Sequence, residues 1–204
     1  MSLRALLVVP VVAAALLLTG CEDAGVTPPP AETRVDVDTP ALRAAKAKAR
    51  IAPCPTRTDG DGSDLPALEL ACLGGGEPVR LADLSGPAVL PLWASWCEPC
   101  KRELPYFARL AEQAGDRLSV LGIDYQDTQP DVGLELLRAS GARFPQLADP
   151  AGTLADSYRI RGLPGVLWVE QDGSARFANV QVHSYDDLVQ LVHDELGIRI
   201  AGSR

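Results

Sequence analysis

The sequence has few of the features on which several functional classes depend. Its 204 residues include 19 Lys and Arg against 27 Asp and Glu, which gives a formal net charge of −8. The basic residues form no block, so the chain lacks the clustered positive charge that nucleic-acid phosphates require. Five cysteines are too few for a small disulfide-rich scaffold. A hydrophobic content of 47% with 23% charged residues is instead typical of a globular domain and excludes a wholly disordered chain.

The N-terminus lacks a hydrophobic run long enough to span a membrane. Its apolar stretch covers residues 5–18, which is shorter than the roughly 20 residues that a spanning helix needs. Arg4 precedes this stretch, and the letters LTGC, ending at Cys21, follow it. Small residues before a cysteine resemble a bacterial lipoprotein signal, which predicts that residues 1–20 are a signal peptide and that Cys21 is lipidated. The alternatives are an ordinary signal peptide with a chance cysteine and an uncleaved anchor.

Residues 21–50 are predicted to be a tether between the lipidated N-terminus and a folded domain. Three consecutive prolines at 28–30 and a near absence of large apolar residues favour an extended, solvated chain in the first part. Thr39 followed by Pro40 is typical of a helix N-terminus, and an Ala- and Lys-rich stretch follows. Because this helix has little apolar face, we expect it to be a spacer that frays. The folded domain is then expected to occupy residues 51–204.

The hydrophobic pattern of this domain alternates between strands and helices. We expect strands at 65–73, 78–81, 88–93, 118–124, 166–170 and 175–180, and helices at 97–114, 130–140 and 185–196. This order predicts an α/β sandwich with a mixed central sheet. Pro91 lies inside the third of these strands, where it cannot donate a ladder hydrogen bond, and we expect a local bulge there.

Cys97 and Cys100 lie where a buried strand is predicted to pass into a helix. A helix N-terminus favours an anion, because its backbone N–H groups are unsatisfied and its dipole is positive there. The thiolate is the form of cysteine that attacks disulfides, so this position favours Cys97 as a nucleophile. Cys100, one turn later, would be the resolving thiol that releases substrate from a mixed disulfide. Pro99 restricts the loop between them, whereas the charge of Glu98 would raise the pKa of a neighbouring thiol.

The letters WASWCEPCKRELP around this pair resemble the active-site segment of the thioredoxin fold, and specifically of the extracytoplasmic TlpA/ResA-like thiol–disulfide oxidoreductases. The resemblance covers residues 65–197. Trp93 and Trp96 flank the cysteines as in that family, and Pro105 matches its helix-kinking proline. The resemblance implies a thioredoxin-like sandwich in which helices flank the mixed sheet. It also implies an N-terminal β-hairpin extension and an inserted βα unit, which residues 118–144 could supply.

The resemblance assigns further roles around the cysteine pair. The letters GLP at 162–164 match the loop whose cis-proline faces the active disulfide, so we expect Pro164 to be cis. The backbone of Leu163 would then pair with an extended substrate beside Cys97. Gly165 stands where a threonine is common in the family, which leaves the substrate preference open. The residues expected to contact substrate are Trp96, Glu98, Pro99 and Leu163.

Asp127 is the predicted proton-transfer residue. It follows the strand that ends near Asp124, where similar proteins place an acidic side chain near the buried cysteine. There it could move a proton during the resolving step, provided that burial raises its pKa. A helix-capping or loop carboxylate is the alternative interpretation, and Asp124 competes for the same role.

Cys54 and Cys72 are predicted to form a structural disulfide. If Cys21 is acylated, this pairing is the only one that preserves the Cys97–Cys100 redox pair. Closing a loop of this size contributes about 3 kcal/mol in the chain-entropy model. The alternatives are reduced buried cysteines and a second redox pair that exchanges with the first.

Other uses of a CxxC motif fit the sequence less well. Structural zinc needs four ligands, usually as two close pairs, whereas Cys54 and Cys72 are separated and His183 and His193 lie far along the chain. Haem attachment needs a histidine directly after the second cysteine, and none is there. Peroxidases of related fold resemble one another in the pattern PxxxTxxC. This sequence has Ala94 at the position of the threonine, which disfavours peroxidase chemistry. We therefore expect no metal and no cofactor.

The sequence as a whole predicts a lipid-anchored, extracytoplasmic thiol–disulfide oxidoreductase that acts on protein cysteines and not on nucleic acid. The family resemblance implies a reductant of apocytochrome c or of another secreted protein, supplied with electrons by a membrane thiol partner. A disulfide-forming oxidant is the first alternative. A non-catalytic binding or metal-delivery module of the same fold is the second.

Overall fold

The computed structural model describes residues 35–56 and 63–202 of the chain. The predicted signal peptide at residues 1–20, the predicted lipidation site Cys21 and the proline-rich part of the predicted tether lie outside the described residues. Within the described ranges, no helix is both long enough and apolar enough to cross a membrane.

The described chain forms one mixed β-sheet. Its strands are β1 Glu69–Cys72, β2 Val79–Arg80, β3 Ala88–Trp93, β4 Ser119–Val120, β5 Gly122–Tyr125, β6 Gln146–Asp149, β7 Gly165–Val169 and β8 Ala175–Ala178. They lie in the order β2-β1-β6-β5-β3-β7-β8, with β4 paired to β3 beside β5. Strand β3 is parallel to β4 and β5 and antiparallel to β7, and β1 pairs with β2 in the predicted N-terminal hairpin.

The α-helices of the described residues are α1 Pro40–Ala49, α2 Glu98–Ala114, α3 Pro130–Ser140 and α4 Tyr185–Leu196. Helices α3 and α4 end at Gly141 and Gly197, both in the left-handed conformation that favours glycine. Strand β5 and helix α3 occupy the stretch where the inserted βα unit was predicted. The predicted class, a mixed sheet flanked by helices in a thioredoxin-like arrangement, is confirmed.

The core divides into two clusters, because successive residues of a strand point to opposite faces of a sheet. Along β3, Val89 and Trp93 belong to one cluster, whereas Leu90 and Leu92 belong to the other. The first cluster also contains buried residues of all four helices, together with Cys97 and Cys100. The Cys97–Cys100 pair therefore packs on the face of the sheet that the helices cover.

Helix α1 corrects the prediction of a fraying spacer. Its N-cap is Thr39, whose Oγ1 accepts a hydrogen bond from the Leu42 N–H at 3.2 Å. Leu42, Lys46 and Ala49 are buried, and the two apolar residues belong to the same core cluster as α2 and α3. The apolar face was missed because part of it is the alkyl stem of a lysine. The predicted boundary at residue 50 is therefore wrong, since residues 35–50 belong to the folded body.

The bulge predicted at Pro91 is also wrong. Strands β3 and β7 pair without an extra residue from Ala88 to Leu92. The interruption lies on the other edge of β3, where the parallel ladder divides into β4 and β5. The Leu121 N–H donates to the Val89 carbonyl at 3.1 Å, so the next donor on β3 that faces this side would be residue 91. Proline has no N–H to donate, and the ladder is broken there instead of bulged.

Candidate active site

The centre of the site is a disulfide between Cys97 and Cys100 at the N-terminus of α2, with Cα atoms 5.3 Å apart. Cys97 is the N-cap residue of α2, and its Sγ accepts a hydrogen bond from the Cys100 N–H at 3.3 Å. Pro99 lies in the first turn, where a missing N–H costs nothing. After reduction the Cys97 sulfur would lie at the positive end of the helix, where a thiolate is favoured.

The two side chains that flank Cys97 are directed to solvent. Trp96 is 53% exposed, and its indole N–H donates to the Gln126 carbonyl at 3.1 Å. Glu98 forms an ion pair with Lys101 at 2.5 Å, and the hydrogen bond from Lys101 holds the pKa of the Glu98 carboxyl below its usual value. Lys101 offsets the negative charge of Glu98. Glu98 therefore raises the pKa of the Cys97 thiol less than its charge alone would.

The loop predicted to face the disulfide lies at the same end of the sheet. The Leu163–Pro164 peptide bond is cis, and β7 begins directly after it with Gly165 paired opposite Leu92 near the end of β3. The Asn179 side-chain amide donates to the Gly162 carbonyl at 2.7 Å and so fixes the loop to the end of β8. Leu163 is half-buried and contacts both core clusters.

A close contact with the neighbouring strand explains why residue 165 is a glycine. A Cβ atom at this position would lie 2.5 Å from Cζ of Phe177 on the neighbouring strand. Phe177 lies on β8, which pairs with β7 from Val166 onward. The threonine that is common at this position in the resembled family would therefore collide with Phe177.

Asp127 connects two loops of the site. It is 2% exposed, and its Oδ2 accepts a hydrogen bond from the Ser95 N–H at 2.5 Å. Its Oδ1 accepts from the Gln129 N–H at 2.9 Å. The carboxylate thus links the start of α3 to the segment that leads into Cys97, and it also fits the alternative interpretation of a loop-bracing group.

Asp124 is buried behind Asp127. It is 2% exposed on β5 and pairs in register with Trp93 of β3. Burial raises the pKa of Asp124 well above its usual value, and the charge of Asp127 and a hydrogen bond to it act in the same direction. A Cβ at Gly133 would lie 3.3 Å from the Asp124 Oδ2, so α3 packs closely over this carboxyl. The raised pKa of Asp124 therefore favours its neutral form beside Asp127.

Glu103 is the candidate residue that the sequence analysis missed. It is 3% exposed, and its Oε1 accepts a hydrogen bond from the Val182 N–H at 3.0 Å. Burial raises the pKa of Glu103 to about 7, although the Val182 hydrogen bond and the nearby Arg102 act against the rise. A separation of three residues puts it on the same helix face as Cys100. The sequence feature that could have indicated Glu103 is its place on the apolar face of α2, one turn before Phe107, where a carboxyl is unusual.

The remaining predicted site residues lie apart from this constellation. Cys54 and Cys72 are joined by a disulfide with Cα atoms 6.0 Å apart, which links the segment after α1 to β1. His183 is exposed and His193 half-buried. In the described part of the chain, no group of three or more His, Cys, Asp or Glu side chains is arranged to hold a metal ion.

Comparisons with known proteins agree with this geometry. The model of the AhpC/TSA family matches residues 62–178, which is more than half of the chain. The chain belongs to the AhpC/TSA family. Its relatives and its redox cysteines further identify it as a thiol–disulfide oxidoreductase of the thioredoxin fold.

Three similar proteins illustrate the relationship. The thiol-disulfide oxidoreductase ResA of Bacillus subtilis is 26% identical over 138 residues, which cover 64% of this chain and 76% of ResA. The thiol:disulfide interchange protein HelX of Rhodobacter capsulatus is 32% identical over 118 residues, which cover 56% of this chain and 64% of HelX. The crystal structure of an exposed lipoprotein thioredoxin of Streptococcus pneumoniae superposes with a TM-score of 0.52 at 26% identity, covering 62% of this chain and 98% of that one.

Proposed function

We propose that the chain is an extracytoplasmic, lipid-anchored oxidoreductase that reduces disulfides in other proteins through a relay between Cys97 and Cys100. The observation that carries the relay is the position of the Cys97 sulfur as the N-cap of α2, with a hydrogen bond from the Cys100 N–H. This position stabilises a thiolate on the outer cysteine more than on the inner one. Cys97 is accordingly the nucleophile and Cys100 the resolving thiol.

The relay consists of two exchanges. The Cys97 thiolate attacks one sulfur of a substrate disulfide, which releases one substrate thiolate and leaves a mixed disulfide on Cys97. The Cys100 thiolate then attacks the Cys97 sulfur, which releases the second substrate thiolate and forms the Cys97–Cys100 disulfide. The substrate gains two electrons, and the pair must be reduced again by a dithiol partner at the membrane.

The resolving step needs a group that removes the Cys100 proton. Glu103 lies on the same helix face one turn away, and its pKa of about 7 suits a base that works near neutral pH. The Asp127 carboxylate accepts from the Ser95 N–H, two residues before Cys97, which supports a positioning role for Asp127. The raised pKa of Asp124 favours its neutral form beside Asp127.

The buried carboxyls also support the reducing direction. A negative charge near a thiol disfavours its thiolate, and a dithiol with less stabilised thiolates is the stronger reductant. Glu103 is buried on α2 three residues after Cys100, and the buried Asp127 accepts from the Ser95 N–H two residues before Cys97. The resemblance to TlpA/ResA-like proteins adds apocytochrome c maturation as the proposed pathway and apocytochrome c as a proposed substrate.

Substrate recognition is proposed for the surface around Cys97. Trp96 offers an exposed aromatic face, and Leu163 together with the cis Pro164 offers an extended backbone edge. Glu98 and Pro99 complete the rim above the disulfide. An extended peptide segment that carries a cysteine matches this surface better than a compact small molecule does.

The proposed location rests on the sequence and on one relative. The letters LTGC before and at Cys21 resemble a lipoprotein signal, and the pneumococcal structure to which this chain is similar is described as an exposed lipoprotein. Acyl chains on Cys21 would supply the membrane attachment, because an acidic chain is not attracted to an anionic lipid surface.

Trapping tests the relay. In the full chain, Cys100→Ser is expected to accumulate a mixed disulfide between Cys97 and its substrate, which is detected as a complex that dissociates only with a reducing agent. Cys97→Ser is the matched control and should trap nothing. A Cys100→Ser protein that traps nothing and turns over normally would rule out the relay.

The reduction potential of the pair tests the direction. A value well below about −200 mV supports a reductant, whereas a value near about −120 mV supports a disulfide-forming oxidant. One observation favours the disulfide-forming oxidant. The N-cap position of Cys97 stabilises its thiolate and so stabilises the reduced form of the pair.

A further inference from the structure

The second disulfide, Cys54–Cys72, has a buried cation beside it. Lys46 is 8% exposed, and its Nζ lies 2.8 Å from the Cys72 Sγ and donates a hydrogen bond to the Gly75 carbonyl at 2.7 Å. Lys46 takes part in none of the ion pairs formed among the described residues. Burial lowers the pKa of Lys46, and the more distant charge of Asp38 only partly offsets this effect. A buried ammonium without a contacting anion is unfavourable, and a thiolate at Cys72 would supply that anion.

The two sulfurs differ in how they can be reached. Cys72 is 1% exposed on β1, and a Cβ at Gly76 would lie 3.2 Å from its Sγ, so the loop after β1 covers this sulfur. Cys54 is 8% exposed and lines an open surface pocket of about 310 Å³. Lys46 and Arg43 line the same pocket. A nucleophile from solvent therefore meets the Cys54 side of the bond.

We propose that Cys54–Cys72 is a redox-labile second site, which a low-molecular-weight thiol opens by attack on Cys54 with Cys72 as the leaving group. This inference goes beyond the relay at Cys97, and neither depends on the other. The size of the pocket and the small exposed fraction of Cys54 favour a small thiol over a folded protein.

The reaction balances as two exchanges. A small thiolate attacks the Cys54 Sγ, the bond to the Cys72 Sγ breaks, and its electron pair remains on Cys72 as a thiolate beside the Lys46 ammonium. The product is a mixed disulfide between Cys54 and the small thiol. A second small thiolate attacks the outer sulfur of that mixed disulfide and releases Cys54, which takes up a proton. Two small thiols are oxidised to one disulfide, and the Cys54–Cys72 pair gains two electrons.

Lys46 determines which of the two cysteines is the leaving group. A thiol with a lower pKa is a better leaving group, and an adjacent ammonium lowers a thiol pKa. The other charged residues that line the pocket are Arg43 and Glu77, and Arg43 pairs with Asp38 at 2.6 Å. Because Asp38 and Arg43 offset each other, Lys46 is the charge that acts on Cys72 at contact distance.

The test uses the oxidised full chain without denaturant and glutathione as the small thiol. Free and modified cysteines are mapped by alkylation and peptide mass spectrometry, so the two disulfides are followed separately in one sample. We expect glutathione to be found on Cys54 and not on Cys72. A glutathione adduct that is equally frequent on both cysteines would overturn the proposal. So would opening that requires a denaturant concentration at which the protein unfolds.

A matched pair of lysine variants tests the role of the cation. Lys46→Met keeps the apolar stem and removes the charge, and we expect it to slow opening at pH 7 by about tenfold or more. Lys48→Met, at an exposed position of the same helix, should open at the wild-type rate. Equal rates for the two variants would overturn the assignment.

Two further measurements keep the test decisive if Lys46→Met does not fold. Lys46→Arg keeps the positive charge and should open at a rate near that of the wild type. In the reduced wild-type chain, the pH midpoint for alkylation of Cys72 should lie below that of an ordinary thiol. A midpoint at or above the ordinary value would contradict the ion pair on which the proposal depends. Opening of Cys97–Cys100 in the same samples is the internal standard, and a failure of the relay there would leave this result unaffected.

Discussion

Asp127 accepts a hydrogen bond from the backbone N–H of Ser95 at 2.5 Å. This contact joins the loop that follows β5 to the segment that carries Cys97. The same carboxylate accepts from the Gln129 N–H, and it lies beside the buried Asp124 carboxyl, whose raised pKa favours the neutral form. Asp127 is therefore both a structural brace and the outer member of a buried acid pair, and these two roles can be separated by experiment.

Asp127→Asn is expected to lower the free energy of unfolding by about 1–3 kcal/mol, because one of the two backbone N–H donors would then face an amide N–H. Urea denaturation at pH 7 measures the change. Asp131→Asn, at an exposed position in the first turn of α3, is the control and should be within about 0.5 kcal/mol of the wild type. Equal stability of the two variants would contradict the bracing role.

Asp124 predicts how stability depends on pH. Its pKa is raised well above the usual value in the folded state, so its contribution to stability is fully present below the unfolded-state pKa of about 4. That contribution is lost as the pH rises through the folded-state pKa, because the unfolded chain releases a proton that the folded chain retains. Asp124→Asn removes this loss, while its amide N–H can still donate to Asp127.

The measurement for Asp124 is the melting temperature of the wild type and of Asp124→Asn between about pH 4 and pH 9. We expect the difference between them to shift in favour of the variant as the pH rises. Glu103 titrates in both proteins and cancels in the difference. A difference that stays constant over this range would show that Asp124 is not held in its neutral form.

Glu103 predicts a pH dependence of the chemistry. Its pKa of about 7 means that the carboxylate form, which can accept the Cys100 proton, becomes populated between about pH 6 and pH 8. We expect the rate of the resolving step to rise through this range in the wild type. Glu103→Gln should remove that rise and slow the step at pH 8.

Stopped-flow measurement of mixed-disulfide resolution on a cysteine peptide gives the rate. Glu112→Gln, at an exposed position of the same helix, is the matched control and should keep the wild-type profile. Retention of the inflection near pH 7 in Glu103→Gln would assign it to another group. The melting temperatures of the wild type and Glu103→Gln provide a second comparison. Because the pKa of Glu103 is raised in the folded state, the wild type should lose stability relative to the variant as the pH rises through about 7.

The sequence predicted the elements whose signals are local. Helices α3 and α4 end at Gly141 and Gly197 as expected, since a C-terminal glycine acts through its own backbone conformation. Strand β3 and the helix start at the cysteine pair follow from a short apolar run and an N-cap position. The proposed thiolate chemistry at Cys97 rests on the same N-cap position.

The sequence failed where a buried polar residue depends on a distant partner. Strand β6 was not predicted because its first residue is Gln146, whose burial is compensated by a hydrogen bond from the Trp93 indole at 2.9 Å. Glu103 was missed because its partner is the Val182 N–H, far along the chain. Lys46 was assigned to a spacer because nothing near it in the sequence indicates contact with Cys72. Each of these partners comes into contact only when the sheet has formed.

Gly165 predicts a steric coupling at the start of β7. Gly165→Thr introduces a Cβ 2.5 Å from the Phe177 ring and 3.3 Å from the Ala178 carbonyl, and overpacking of this kind costs about 1–3 kcal/mol. Because Phe177 is the main obstacle, the same change should cost much less in a Phe177→Ala background. Urea denaturation of the four proteins in this double-mutant cycle gives the interaction energy, which we expect to be at least about 1 kcal/mol. Additive effects of the two substitutions would mean that the ring moves aside, and that the glycine has a reason other than Phe177.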